Sequence, residues 1–356
     1  MTAEAMLKAD RILVLRYRFI GDTILTVPFL RNLRAAFPQA TIDVLIGPQS
    51  GRVLQGCPYI NELIEFDTTR FHKYDRGENQ KKHFLSYVFQ LREKAYDTAF
   101  VLKRSLSSAL LSYLIGAKNR IGYSMPGRDL LLTKTVPWDA DKHEVISTLD
   151  VLRGADIPVI DDYLEAWISS DELAQVDQIV PQLKTGSRFY LVHAAAAHPD
   201  KLYPLDSWSK IISSLHDTAQ LIPVFTGARS DYDLYENLSR QAGVKAINLA
   251  GKLTLRQSMA LYKNLLFAIC VDSGPAHMSA AVGTPTLAIF GPTDPGRWSP
   301  YGPQHKAIYD AELACRPCHY KKTCVDRPCL TQLSPDRVLE QAMILYRRSL
   351  ETVVRC

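Results

Sequence analysis

Five short stretches of the sequence bring together residue types that do chemistry. In "RILVLRYRFIGDTILTVPFLRNLRAAFP", residues 11–38, an apolar run ends in the corner Ile20-Gly21-Asp22 and a helical pattern follows. A carboxylate there has two uses. It caps the helix by accepting from backbone N–H groups, or it serves as a proton acceptor at the mouth of a cleft. The local sequence leaves both open. In "FAICVDSGPAHMSAAVGTPTLAIFGPTDPGRW", residues 267–298, a strand-like run ends at Asp272, and Ser273-Gly274-Pro275 turns the chain into a helix carrying His277. Gly274 lets a ligand approach the backbone, Pro275 suits a first helical turn, and Ser273 adds a hydroxyl. A helix N-terminus at the edge of a sheet receives an anion such as phosphate; the competing reading is an ordinary strand–turn–helix with a core histidine.

"LVHAAAAHPDKLYPLDSW", residues 191–208, runs through small residues to Lys201, just ahead of a proline-initiated helix. A lysine so placed neutralises phosphate as a point charge, or is simply a surface lysine. "PVFTGARSDYDLYENL" holds Asp231 and Asp233, and the same Asp-x-Asp spacing recurs at Asp139 and Asp141. Both pairs suit solvated carboxylates near turns and helix starts better than a metal, and Asp231 has the further option of accepting from a ribose hydroxyl. Cys315, Cys318, Cys324 and Cys329 follow a C-x2-C-x5-C-x4-C spacing. Four thiolates in so short a span suit a structural zinc or iron site, disulfides, or plain reduced thiols.

The elements that position these residues alternate. Strand-like "RILVLRY", "TIDVLIG", "INELIEF" and "DTAFVLK" are separated by helical patterns, and "NRIGY" follows. The pattern restarts at "RFYLVHAA" and continues through "QLIPVFTGA", "AINLAG", "FAICVDS" and "TPTLAIFGP". Alternating β and α units with apolar, β-branched runs predict parallel sheets covered by helices on both faces. The reading is α/β, two doubly wound domains in series, with ligands at the carboxyl ends of the strands and the cleft between the halves as the default site. The domains are placed at 1–180 and 181–335, with a terminal helix over 336–356 that crosses back to the first domain.

At 356 residues the chain is long enough for two cores. Net charge is +5, and it is unevenly spread: residues 1–150 hold 21 basic and 16 acidic residues, while the remainder holds 21 of each. A basic first half suits an anionic ligand or an anionic membrane surface. No zinc-finger spacing, basic zipper or RNP-type motif is present, which argues against nucleic acid. The first strand is not followed by G-x-G-x-x-G and no G-x-x-x-x-G-K-[ST] occurs, which disfavours a nicotinamide dehydrogenase or a P-loop NTPase. No apolar run reaches the roughly 20 residues of a membrane span and no secretory signal is evident, so a cytoplasmic protein is expected.

Taken together, "RYRFIGDTILTVPFLRNLRAAFP", "NRIGY", "HAAAAHPDKLYP" and "VDSGPAHMSAAVGTPTLAIFGPTDPGRWSPYG" resemble the family 9 glycosyltransferases, the ADP-heptose:lipopolysaccharide heptosyltransferases, over residues 11 to about 340. The resemblance implies a GT-B architecture, two Rossmann-like domains facing across a cleft, and an inverting transfer that uses no catalytic metal. It implies Asp22 as general base, Lys201 on the donor phosphates, Asp231 near the ribose, and Asp272, Ser273, Gly274 and His277 in the nucleotide turn. Arg18, Gly21 and Arg120 are the acceptor-side candidates. The implied donor is an ADP-linked heptose and the implied acceptor an anionic glycolipid, the lipopolysaccharide inner core, met at the inner face of the inner membrane. Two departures stand out: four alanines, Ala194 to Ala197, where hydroxyl or glycine residues are common, and Tyr203 where tryptophan is frequent. They leave room for a different sugar, or for a protein or another surface glycan as acceptor. A sugar-nucleotide epimerase or hydrolase and a non-catalytic nucleotide-sugar-binding protein are the readings of other classes.

Overall fold

The computed structural model describes residue 7 and residues 9–17, 19–67, 83–185, 188–320 and 324–354. The chain divides into two compact units, Met1–Leu164 and Glu165–Cys356.

In the first unit the strands are β1 (Arg11–Leu15), β2 (Thr41–Ile46), β3 (Glu62–Glu65), β4 (Thr98–Val101), β5 (Asn119–Tyr123) and β6 (Lys134–Val136). They form one sheet in the order β3-β2-β1-β4-β5-β6, and every pairing is parallel. The second unit repeats the arrangement with β7 (Phe189–His193), β8 (Ile222–Phe225), β9 (Ile247–Asn248), β10 (Ala268–Val271), β11 (Thr286–Ile289) and β12 (Lys306–Ile308). Its order is β12-β11-β10-β7-β8-β9, again parallel throughout. Each is the Rossmann order. Strand order therefore reverses between β1 and β4 in one sheet and between β7 and β10 in the other, and ligands bind outside the carboxyl ends of the strands at such reversals.

The central strands are apolar because helices cover both faces. Leu13, Leu15, Ala99 and Val101 pack with Tyr87, Val88 and Leu91 of helix Phe84–Glu93 and with Ala109 and Leu111 of helix Leu106–Leu114. Helices Val27–Ala36 and Glu144–Gly154 pack together, each burying an apolar face. The stretch after the first corner, read as one helix, is two: Ile20–Ile24 and Val27–Ala36. Pro28 explains the break, since a proline lacking an N–H fits a first turn and not a helix interior.

In the second unit Tyr190, Val192, Ile269, Val271 and Leu287 share a core with Trp208 and Ile212 of helix Leu205–Ala219. The terminal helix Pro335–Val354, expected to cross back to the first domain, buries Val338, Ala342, Leu345 and Tyr346 in this same core. The boundary also falls earlier than the expected 180/181. Helix Ser170–Ile179 opens with a Ser169/Glu172 capping box, packs on helix Leu255–Lys263, and is fastened there by Arg256, whose Nε and Nη2 each donate to Glu172 at 2.7 Å.

Candidate functional site

The carboxyl edge of each sheet carries an ion pair at its reversal point, fully buried in the first and half-buried in the second. In the first unit the chain leaves β1 at Arg16, whose side chain is only 2% exposed. Its Nη1 donates to the Leu102 carbonyl at 2.9 Å, beyond the end of β4, and its Nε to the Asp22 carbonyl at 3.3 Å. Its Nη2 lies 2.7 Å from Glu144 Oε1 and 3.3 Å from Asp22 Oδ1. One guanidinium thus ties together the Gly-Asp corner, the end of β4 and the start of helix Glu144–Gly154. A guanidinium is suited to this because it offers five donors in a rigid fork. Burial works against its charge, yet Glu144 and then Asp22 hold its pKa above the ordinary arginine value.

Asp22 is 5% exposed. It is not the N-cap that the sequence allowed: Phe19 occupies that position, and Asp22 lies in the first turn of helix Ile20–Ile24, where a carboxylate still suits the dipole. Gly21 is buried beside it. Arg120 lies elsewhere. It pairs with Ala99 in the first half of β5, away from the carboxyl edge, and spends its guanidinium on the carbonyls of Leu131 at 2.7 Å and Ala117 at 2.5 Å. Arg18 lies outside the described residues.

In the second unit Lys201 closes the turn Pro199–Lys201, and its Nζ lies 2.6 Å from Oδ2 of Asp272, just past β10. Thr293, from the loop after β11, donates its hydroxyl to the same oxygen at 2.5 Å. Burial opposes the Lys201 charge, but Asp272 outweighs it and keeps the pKa above the usual lysine value. Ser273 is the N-cap of helix Gly274–Ala281, yet its hydroxyl donates back to the Val271 carbonyl at 3.0 Å and makes no capping bond. The helix opens with Gly274 and Pro275, and His277 in its first turn is buried.

Asp231 reaches the same sheet edge from the turn after β8. Its Oδ2 accepts from the Ala228 amide at 2.8 Å, and a Cβ on Gly227 would come within 2.5 Å of that oxygen. Glycine is what allows the carboxylate to lie over the strand end. His193, at the end of β7, is buried with Nδ1 2.7 Å from the Thr226 carbonyl; burial lowers its pKa, so it stays neutral. In the alanine loop, the Ala194 amide donates to the Tyr235 hydroxyl at 3.2 Å. Tyr203 is buried and donates to the Leu333 carbonyl at 2.8 Å.

The structure therefore brings Lys201, Asp231, Asp272, Ser273, Gly274 and His277 to one edge of the second sheet, and Gly21 and Asp22 to the matching edge of the first. Sequence reasoning missed Arg16, Glu144 and Thr293. Arg16 carried a weak signal, a cation directly after a buried strand; Glu144 carried none. Cys315 is exposed and Cys329 buried, and among the described residues no three His, Cys, Asp or Glu side chains are gathered to hold a metal. Burial pushes the Cys329 thiol up, against the pull of Arg316.

The comparisons with known proteins agree with this geometry. Residues 85–328, more than half of the chain, match the model of glycosyltransferase family 9 (heptosyltransferase). Lipopolysaccharide heptosyltransferase 3 of Escherichia coli K12 is 28% identical over 294 residues, covering 80% of this chain and 83% of the relative. Among solved structures, a family 9 glycosyl transferase of Veillonella parvula superposes with a TM-score of 0.81 at 22% identity, covering 96% of this chain and 99% of that one. E. coli heptosyltransferase WaaC with ADP gives a TM-score of 0.71 at 18% identity, over 94% and 99%. With two Rossmann-ordered sheets, each carrying an ionic site at its reversal point, the fold is of the GT-B type and the chain belongs to glycosyltransferase family 9.

Proposed function

We propose that this protein moves a heptose from an ADP-linked donor to a hydroxyl of a lipopolysaccharide inner-core acceptor, with inversion and without a catalytic metal. The observation that carries the reading is the Lys201–Asp272 pair beside the helix start at Gly274. That is a place for a diphosphate, at the edge where such sheets bind nucleotides. The E. coli enzyme of the same fold was solved with ADP.

In this reading the acceptor oxygen attacks the anomeric carbon from the face opposite the leaving group. Asp22 takes the hydroxyl proton as the new C–O bond forms and the bond to ADP breaks. General-base help of this kind is typically worth about 10²–10⁴ in rate. Charge collects on the departing diphosphate, and Lys201 with the first turn of helix Gly274–Ala281 stabilises it, a fixed electrostatic arrangement rather than a metal. The four thiols are the residues that would hold a structural zinc or iron, and no step passes through such an ion.

The acceptor is assigned to the first unit, whose residues 1–150 hold 21 basic and 16 acidic residues. No helix among the described residues is long and apolar enough to cross a membrane. Peripheral contact with the inner face of the inner membrane is part of the proposal. Helices Phe84–Glu93 and Leu106–Leu114 bury one face in a common core and leave Leu85, Phe89, Leu106 and Tyr113 more than half exposed. Apolar side chains on a basic unit suit an anionic lipid surface.

Titration calorimetry with ADP, UDP and GDP, each with and without EDTA, tests the donor. Selective binding of ADP that EDTA leaves unchanged is expected. Preference for UDP or GDP would discard the heptose donor, and loss of binding in EDTA would discard the metal-free mechanism.

A further inference from the structure

Thr293 has no part in the chemistry above, yet it shares a single oxygen with the ion pair at the donor edge. Its hydroxyl donates to Oδ2 of Asp272 at 2.5 Å, a length typical of a hydrogen bond to an ionised acceptor. The Lys201 ammonium lies 2.6 Å from that same oxygen. Among the described residues the other oxygen, Oδ1, has no hydrogen-bond partner, although the Asp272 side chain is only 7% exposed. The loop that brings Thr293 to this place is itself held. Three carbonyls in a row are taken by the segment that follows β12: Gly291 accepts from Arg316 Nε at 2.6 Å, Pro292 from the His319 amide at 2.9 Å, and Thr293 from Arg316 Nη2 at 3.2 Å. A Cβ on Gly291 would come within 2.8 Å of Leu330, so the loop lies directly on that buried side chain.

We propose that Thr293 is a positioning residue of the donor site, acting through Asp272: it holds Oδ2 on Lys201 so that Oδ1 accepts from a hydroxyl of the transferred sugar. A carboxylate beside a diphosphate is repelled by it, and an ionised carboxylate only accepts hydrogen bonds. The groups of a nucleotide-sugar that can donate to it are hydroxyls. Asp231, from the loop after β8, is the carboxylate assigned to the ribose, which leaves the transferred sugar to Asp272. Held by Lys201 alone, the carboxylate could turn and offer either oxygen to the ammonium; the Thr293 hydroxyl, coming from a second loop, fixes which one. The inference rests on the nucleotide-sugar reading of this unit, and it gives the loop after β11 a part in selecting the sugar rather than the nucleotide.

The test is calorimetric binding of ADP and of ADP-heptose to the purified full-length chain and to Thr293→Val, Thr293→Ala and Thr293→Ser. In the Val and Ala variants affinity for ADP-heptose is expected to fall about 10-fold, the lower end for a hydrogen bond to a charged group, while affinity for ADP stays as it was. Thr293→Ser, which keeps the hydroxyl, is expected to restore ADP-heptose binding. Equal losses for ADP and ADP-heptose would overturn the inference, since a merely structural threonine loosens the whole site. Unchanged ADP-heptose affinity in Val and Ala would overturn it too, as would a Ser variant that binds no better than Val. In an Asp272→Ala background Thr293→Val is expected to leave the ratio of the two affinities where Asp272→Ala puts it, because residues acting through one contact are not additive; a further change in that ratio would count against the proposal. A wild-type chain that binds neither ADP nor ADP-heptose would remove the donor reading and this inference with it. A chain that binds both, with the same ratio in wild type and Thr293→Val, would remove the inference alone.

Discussion

Arg16 and Glu144 form a buried pair 2.7 Å apart, and this pair decides how much of the arginine is left for Asp22, whose Oδ1 lies at 3.3 Å. The better contact goes to Glu144. Asp22 has the longer of the two contacts with the guanidinium. Glu144→Gln removes the competing charge and draws the Asp22 carboxylate into a full ion pair, away from an acceptor hydroxyl. Turnover is expected to fall by about 10-fold or more, part of the general-base contribution, while ADP affinity, a property of the other unit, stays as it was. Steady-state kinetics with ADP calorimetry checks this; unchanged kcat would show that Glu144 is only a packing partner.

Gly227 is the second prediction. A methyl group there meets Asp231 Oδ2 at 2.5 Å, so Gly227→Ala must displace the carboxylate. If Asp231 accepts from the ribose, Gly227→Ala and Asp231→Ala should weaken ADP by a similar factor, about 10-fold or more for a hydrogen bond to a charged group. Calorimetry on both variants decides it. Wild-type affinity in Gly227→Ala with a large loss in Asp231→Ala would mean that the displaced carboxylate is not the ligand-binding form.

The clasp between Arg256 and Glu172 sets a pH dependence of stability. Hydrogen bonds from Arg256 bring the Glu172 pKa from 4.5 down to about 2. A carboxylate with a folded-state pKa below its unfolded value stabilises the fold above the unfolded value, and that stability is lost as pH falls through the folded one. Melting curves should therefore show Arg256→Ala less stable than wild type near pH 7, with the gap closing between pH 4.5 and about 2. A gap that stays constant over that window would assign the loss to packing of the arginine stem.

Much of this architecture is legible in the sequence, because buried parallel strands read as apolar runs and each run ends where its site residue stands. Asp22, Asp272 and the turn Ser273-Gly274-Pro275 are found that way. What the sequence cannot show is who meets whom. Glu144 lies at a helix start with nothing nearby to mark it as the partner of Arg16, and nothing in the alanine loop shows that Lys201 will face Asp272. Arg120 shows the same limit: a basic residue in a family-like motif reads as a ligand group, whereas the fold sets its Nε and Nη1 on backbone carbonyls around β5. The unit boundary was misplaced because "SSDELAQVDQIV" has the composition of a linker, and only its docking on helix Leu255–Lys263 assigns it to the second unit.

The central claim is that Asp22 accepts the proton while a separate site holds the donor, and Asp22→Asn tests it most directly. The substitution keeps the shape of the side chain and removes its basicity. With ADP-heptose and a lipopolysaccharide core acceptor, kcat is expected to fall by about 10²-fold or more, with ADP affinity and melting temperature close to wild type. Near-normal turnover in Asp22→Asn would contradict the account.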